Sequence, residues 1–451
     1  MIKNMSTRAL RFGSDRFLRL ILATIIFLLP LPNKFYLGSV EIPLLEALLL
    51  LAIMIGLSML RRWWFLVSKG SLILWGMPFL MAVFLSSLVA HSPDVAMRGA
   101  LYLSEGLIFA SLVLCSVRDL KNARYYMITL SISGIIQSIL SITQHLWPGS
   151  LTWFIQHFPD RFEEIHYVLS NTGSILRSTG TFSHPNFLGA YLSATLISCV
   201  YLSLTTKTQK YKFLFLFNSL IVSAGLFFTY SRGALIASFI SIVSLVLLDV
   251  VIRSRDTNYK PKLLPAIAIT VLVVCISGGF FLFSGQANAY LLDLSSGFSY
   301  RETAVEDRFF RWRAAVEIWS DHPVFGVGFN NFNDEYASRY PTVWGTDRRL
   351  SAHNLVLELL ATTGMVGLLS FALLCGIVFA RLWRLVSGAN GKLEQGRFAI
   401  AALCFFIYFL LHHTFACYIA DKNLMFVWWL FIGLTDKIIS GLKSQENCSL
   451  M

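Results

Sequence analysis

Five arginines and one histidine–asparagine pair in this sequence have the types and settings to do chemistry. Arg177 precedes the run "GTFSHPNFLGAYL", and Arg232 lies inside "TYSRGALIA". Arg308, Arg311 and Arg313 fall within "DRFFRWRAAVEIWSDHP", and His353-Asn354 opens "SAHNLVLELLATTGMVGLL". An arginine is always charged, and its fork matches phosphate oxygens in pairs, so several together suit a diphosphate. Histidine is the natural general base near neutral pH. Asn354 would orient the histidine or cap the helix, and a cap alone contributes ~1 kcal/mol. Each residue also has an ordinary reading. An arginine at a helix end is commonly a snorkelling anchor, and a lone His353 would serve as a capping or interface residue. Arg232 resists that reading, because it sits in a very short turn between apolar runs, where polar groups are usually functional. His184-Pro185-Asn186 reads as a helix start with proline in its first turn, and His412-His413 read as interface residues ending another run.

These residues must be positioned by membrane helices. The chain has 451 residues, 56% hydrophobic and 14% charged, with mean hydropathy +0.64. A soluble chain carries roughly 25% charged residues. The pattern indicates an all-α polytopic membrane protein, because a β-barrel would show alternating segments of about ten residues. Apolar runs that approach the ~20 residues needed to span a bilayer fall at about 17–32, 40–60, 71–90, 98–117, 125–146, 183–205, 212–230, 232–252, 263–283, 354–382, 398–413 and 420–440. The start resembles a signal peptide but has no small-residue cleavage site, so it is expected to be a retained first helix. With the N-terminus inside, the inside segments hold the majority of the 37 Lys and Arg, as the positive-inside rule requires. Both termini are therefore expected in the cytoplasm. The net charge of +12 follows from this topology and gives no case for nucleic acid. Six cysteines (Cys115, Cys199, Cys275, Cys375, Cys404, Cys417) lie in or beside apolar runs, which fits small buried residues rather than metal ligands or disulfides.

The expected organisation is residues 1–182 with five helices and a first outside loop, 183–283 with four helices, a large outside loop at 284–352, and 353–451 with three helices and a tail. Loops longer than ~15 residues usually carry function or are disordered. In the large loop, Phe309, Trp312, Val316 and Trp319 recur at helical spacing, which predicts an amphipathic helix resting on the membrane surface or the bundle. His322-Pro323 ends it, and "FGVGFNN" is a turn. Gly364 and Gly367, three apart, are expected to allow close helix packing. Glu46, Glu105 and Glu358 fall inside apolar runs. They are expected to be hydrogen-bonded neutral acids joining helices, with a proton path as the functional alternative. Glu358 is not expected to be a direct partner of His353.

On this topology the arginines and His353 gather at the outer membrane surface, where no nucleotide is expected and no P-loop is present. The energy for a synthesis must then arrive in the substrate. A polyprenyl-diphosphate-linked sugar meets that need, with its tail in the bilayer and its diphosphate at the surface.

The same residues carry a resemblance. His353-Asn354, nine residues, then Gly364 and Gly367 resemble the H-[N/S/Q]-x9-G-x-x-[G/T/Y] pattern of O-antigen ligases and related protein O-oligosaccharyltransferases. "RSTGTFSHPNFLGAYL", "YSRGALIA" and Arg308, Trp312 and Ala315 followed by "HPVFGVGFNNF" look like the other blocks of the O-antigen ligase/polymerase superfamily. The likeness runs from about Arg177 to Gly367. It implies a metal-independent, inverting glycosyltransferase of the bacterial inner membrane, without cofactor, whose active site faces the periplasm. Its donor would be an undecaprenyl-diphosphate-linked glycan and its acceptor a sugar hydroxyl on lipid A–core. His353 matches the proposed general base. Arg177, Arg232 and Arg308 match basic positions associated with the diphosphate, while Arg311 and Arg313 fall between pattern positions, Arg311 being counted with the diphosphate set. His184, Asn186, Asn354, Gly364 and Gly367 are supporting residues. The alternatives are a polymerase of the same superfamily, joining lipid-linked repeat units, or a protein O-oligosaccharyltransferase, which usually has a longer C-terminal part. A transporter would need a polar path, whereas the midplane is mostly apolar and no internal repeat is visible.

Overall fold

A computed structural model describes residues 2–31, 34–37, 40–67, 70–157, 167–170, 173–254, 299–340, 351–388, 393–414, 416–419 and 421–449. The elements in chain order are α1 (Ile2–Leu28), β1 (Lys34–Leu37), β2 (Val40–Pro43), α2 (Leu44–Leu57), α3 (Leu60–Val67), α4 (Leu72–Leu88), α5 (Pro93–Ser116), α6 (Leu120–Leu146) and α7 (Gly149–His157). They continue with β3 (Tyr167–Ser170), β4 (Gly173–Leu176), α8 (Pro185–Thr205), α9 (Gln209–Phe227), α10 (Arg232–Ser254), α11 (Ser299–Asp321), α12 (Phe332–Arg339), α13 (Leu355–Ser387), α14 (Leu393–His413) and α15 (Lys422–Ser449).

Seven of these helices are long and apolar enough to cross a membrane: α5, α6, α8, α9, α10, α13 and α14. An eighth span forms if the pair α2 and α3, bent by 86°, is counted as one. Three other predicted runs appear as α1, α4 and α15. Of these, α4 is shorter, and α1 and α15 carry charges along their length. The run at 263–283 lies outside the described residues, as does Cys275. The expected helix at 40–60 is instead β2, α2 and the bend into α3. There Arg61, Arg62, Trp63 and Trp64 favour the headgroup level over hydrocarbon. Two antiparallel hairpins are added to the expected all-helical chain, β1 on β2 and β3 on β4.

α8 is the interior helix: every residue from Leu188 to Ser203 is buried, and α6, α9, α10 and α14 pack around it. The backbone just before α8 is irregular, and inside a bundle its polar groups must be satisfied by protein. Two buried glutamines on α6 do this. Gln144 Oε1 accepts from Gly180 N at 2.8 Å while its Nε2 donates to Gly180 O at 2.8 Å. Gln137 Oε1 accepts from Thr181 N at 3.0 Å. Ser178 N donates to Phe228 O at 3.0 Å, which fastens the same segment to the α9–α10 turn.

Glu46 and Glu105 are corrected by the structure. Lys422 Nζ lies 2.6 Å from Glu46 Oε1 and 2.5 Å from Glu105 Oε2, so the acids are ion-paired and join α2, α5 and α15. At the opposite end of the bundle, Asp15 holds Arg62 and Arg118. There Asp249 also holds Arg253 and Arg397 at 2.7 and 2.5 Å. Cys115, Cys199, Cys375, Cys404 and Cys417 are free thiols.

α13 is broken rather than continuous. Gly364 has φ 63° and ψ −165° inside the helix. A break leaves carbonyls on one side and N–H groups on the other without helical partners. The turn after α11 supplies them. Val327 N and Gly328 N donate to Ala361 O and Thr362 O, both at 3.0 Å, and Met365 N and Val366 N donate to Pro323 O and Val324 O at 2.9 and 3.3 Å. A Cβ on Gly364 would press on the Val324 carbonyl and stand 2.6 Å from Phe325 N. Gly364 therefore serves a helix break filled by loop backbone, rather than helix–helix packing. Gly367 lies under the Thr363 side chain.

The loop helix α11 forms as expected and ends before His322-Pro323. Its packed face differs from the aromatic stripe. Ala314, Ala315 and Ile318 are buried with Val327, Phe332, Tyr336, Ala352 and Ala361, while Phe309 is 59% exposed and Val316 is also exposed. Small side chains let α11 lie close on α13, which the bulkier stripe would prevent.

Candidate functional site

The site begins at the mouth of α13. Asn354 is its N-cap: Oδ1 accepts from Val356 N at 3.0 Å and from Leu357 N at 3.2 Å, which satisfies two of the helix's orphan donors. His353, just before it, has φ 50°, a left-handed conformation that is uncommon for a residue with a side chain and a sign of local constraint. The constraint has visible sources. Ala352 N donates to Glu358 Oε2 at 2.7 Å, and His353 N donates to Ser351 Oγ at 3.4 Å. Glu358 thus holds the backbone one residue before His353 and is not its side-chain partner, as expected.

The loop helix α11 brings two arginines to this point. Burial first, then the charges of Arg311 and Arg308, push the His353 imidazole down to about 3. A positive neighbour disfavours a second positive charge, and loss of water does the same. The ring is therefore neutral at physiological pH. Arg311 Nη1 also lies 3.5 Å from Ser351 O. Arg313 is turned away: it is exposed and pairs with Glu317 at 2.8 Å, four residues on along the same helix.

A second set of residues is built around the start of α8. His184 is its N-cap, with Nδ1 accepting from Asn186 N at 3.0 Å, so the ordinary reading of His184 is correct. Arg177 Nη2 donates to Asn186 Oδ1 at 2.8 Å, and its Nε donates to Thr229 O at 3.0 Å. Arg177 thereby ties β4's end to α8 and to the turn between α9 and α10. That turn carries Tyr230 with φ 50°, and Arg232 is the exposed first residue of α10. The expected break between these helices is present at residues 228–231.

Tyr418, in the connection between α14 and α15, links the two sets. Burial raises its phenol well above the ordinary range, while the charges of Arg177 and Arg308 act on it in the opposite sense. Its ring meets Phe187 edge-on at 4.5 Å, and Phe187 lies 5.8 Å from the His184 ring. The neighbouring Cys417 thiol is pushed up by burial and by the Glu358 carboxylate, which places this connection against the α13 mouth. The structure thus brings Arg177, Asn186, His184, Arg308, Arg311, His353 and Asn354 to one end of the bundle. Arg232 joins them through the turn that Arg177 grips, and Arg313 is excluded. Tyr418 carries no spacing signal in the sequence, because it sits in a short turn between two apolar runs.

A neutral imidazole beside several guanidinium groups can accept a proton while the guanidiniums hold an anion. Gly364 and Gly367 lie on the helix that His353 precedes, and the turn docked at Gly364 follows the helix that carries Arg308 and Arg311. No curated protein matches the chain. Residues 217–372 match the family model described as O-Antigen ligase, a stretch that contains Arg232, Arg308, Arg311, His353, Asn354, Gly364 and Gly367 and leaves Arg177, His184 and Asn186 just before it. Over this stretch the chain is similar to the O-antigen ligase family.

Proposed function

We propose that this protein transfers a glycan from an undecaprenyl-diphosphate carrier to a sugar hydroxyl of lipid A–core at the periplasmic face of the bacterial inner membrane. His353 takes the proton of the acceptor hydroxyl as that oxygen attacks C1 of the donor sugar. The new bond joins the acceptor oxygen to C1, and the bond from C1 to the phosphate oxygen breaks. Undecaprenyl diphosphate leaves with the bonding electron pair. Arg177, Arg232, Arg308 and Arg311 stabilise the charge that builds on it, and such preorganised groups are worth roughly 2.7–4 kcal/mol each where measured.

The observation that supports this reading is convergence: one constrained imidazole and arginines from separate parts of the chain share one end of the bundle. The electrostatics add an order to the steps. Burial first, and then the charges of Arg311 and Arg308, make His353 a weak base in the free protein. A bound diphosphate offsets those charges and raises the imidazole toward the range in which a general base works best. The donor therefore activates the residue that deprotonates the acceptor.

The test is replacement of His353 by Ala in cells, with lipopolysaccharide separated on a gel. The expected result is bare lipid A–core, polymer stranded on the carrier lipid, and normal protein level. Full-length polymer on the core of the His353→Ala strain would overturn the proposal. A core carrying a single repeat unit would instead assign a polymerase.

A further inference from the structure

The end of α14 holds polar groups that neither the helix bundle nor the proposed transfer step uses. His412, His413 and Tyr418 are 1%, 2% and 4% exposed. Their rings touch one another: His412 and His413 lie 5.4 and 5.5 Å from Tyr418, and 6.1 Å from each other. His412 Nδ1 lies 2.9 Å from Tyr408 Oη, and His413 Nδ1 lies 2.8 Å from Phe409 O. Three atoms remain. His412 Nε2, His413 Nε2 and Tyr418 Oη are buried and have no hydrogen-bond partner among the described residues. An unpaired polar atom in a dry interior is costly, and buried polar groups are nearly always satisfied. Three on adjoining rings form an unsatisfied polar cluster.

The protonation pattern says what that surface can hold. Phe409 O can only accept, so His413 Nδ1 must carry the proton of the neutral ring. His413 Nε2 then presents a lone pair. It binds a group that donates, and it repels an anionic oxygen. Tyr418 Oη can donate and accept. A hydroxyl-bearing neutral molecule fits both, and the flanking faces of Phe187 and Tyr418 are apolar. The charges of Arg177 and Arg308 reach Tyr418, so this surface adjoins the one assigned above to the diphosphate.

We propose that His412, His413 and Tyr418 form a subsite for the hydroxyl groups of a neutral sugar ring next to the reacting centre. The inference rests on the transferase reading. The ring belongs either to the donor, next to its diphosphate, or to the acceptor, and the two are separated by kinetics.

The full-length protein is reconstituted in vesicles with a lipid-linked glycan donor and lipid A–core acceptor, and kcat and both KM values are measured. Tyr418→Phe removes only an unpartnered hydroxyl, so a purely structural role predicts no kinetic change. His413→Gln serves as the second variant. The expected result is a rise of about tenfold, the equivalent of one lost hydrogen bond, in one KM with kcat changed less. A rise in the acceptor KM assigns an acceptor subsite, and a rise in the donor KM assigns a donor-sugar subsite. Inhibition by inorganic pyrophosphate should be unchanged. Both KM values within twofold of the parent in Tyr418→Phe would overturn the inference, as would a matching loss of pyrophosphate inhibition. A parent protein that transfers nothing would overturn the transferase reading, and this inference with it.

Discussion

Gly364→Ala tests the link between the broken helix and the site. At φ 63° and ψ −165° the backbone occupies a region that is essentially glycine-only, and an alanine held there costs roughly 1–3 kcal/mol. Its Cβ would also overlap the Val324 carbonyl. Relief requires moving the turn at residues 322–331 away from α13. That movement breaks four backbone hydrogen bonds, from Val327, Gly328, Met365 and Val366, each worth about 1 kcal/mol. Strain alone would cost roughly 1–3 kcal/mol, but the overlap with the Val324 carbonyl closes that route, so the turn gives way and the four bonds are lost at a cost of about 4 kcal/mol. Detaching the turn is cheaper than unfolding the bundle. Arg308 and Arg311 then lose their fixed relation to His353, and transfer should fall while the transmembrane helices remain. The assay is limited proteolysis between Asp321 and Asn331 together with glycan transfer, in the purified full-length protein. Gly376→Ala is the control: nothing lies within 4 Å of its added Cβ, and in a helix interior alanine is favoured over glycine by about 1 kcal/mol. Parent-like proteolysis and transfer in Gly364→Ala would refute the argument.

Two further predictions follow from charges. Lys422→Met leaves the half-buried Glu46 and Glu105 facing each other without their shared cation, and removing one partner of such a pair is destabilising. The melting temperature should fall, and adding Glu46→Gln and Glu105→Gln should restore it; no recovery would mean that the triad is not the clamp. His353 gives the pH prediction. Its folded pKa of about 3 lies below an unfolded value near ~6.5. Between those values the unfolded chain binds a proton that the folded chain does not, so stability is lost as pH falls from ~6.5 toward 3 and is unaffected above. Because kcat/KM reports the free enzyme, it should show no limb near pH 6.5. The limb should appear in kcat, once the diphosphate has offset the arginines. A limb near 6.5 in kcat/KM would contradict the burial of His353.

Much of the architecture and of the site was legible because the signals are local. Apolar runs of bilayer length can do little but span. Caps are read from two or three adjacent residues, which is why the capping readings of His184 and Asn354 agree with the structure. The loop helix was found by its periodicity, but its packed face was not. Periodicity identifies an apolar stripe, whereas which face is buried depends on how closely a neighbour can approach, and here the alanines won over the aromatics. Glu46 and Glu105 were read as neutral acids because their partner, Lys422, is more than 300 residues away.

The sequence alone determined that this is a helical membrane protein, and it singled out the arginines and the histidine with a motif that resembles that of the O-antigen ligases. Only the tertiary structure decided how they meet. It broke α13 at Gly364, because a distant turn offers the backbone partners that a broken helix needs, and so fixed Arg308 and Arg311 beside His353. It turned Arg313 away and left His412, His413 and Tyr418 buried without partners. Hydrogen-bond satisfaction and electrostatic shifts depend on groups from separate segments sharing one low-dielectric space, and no spacing within a single segment encodes that.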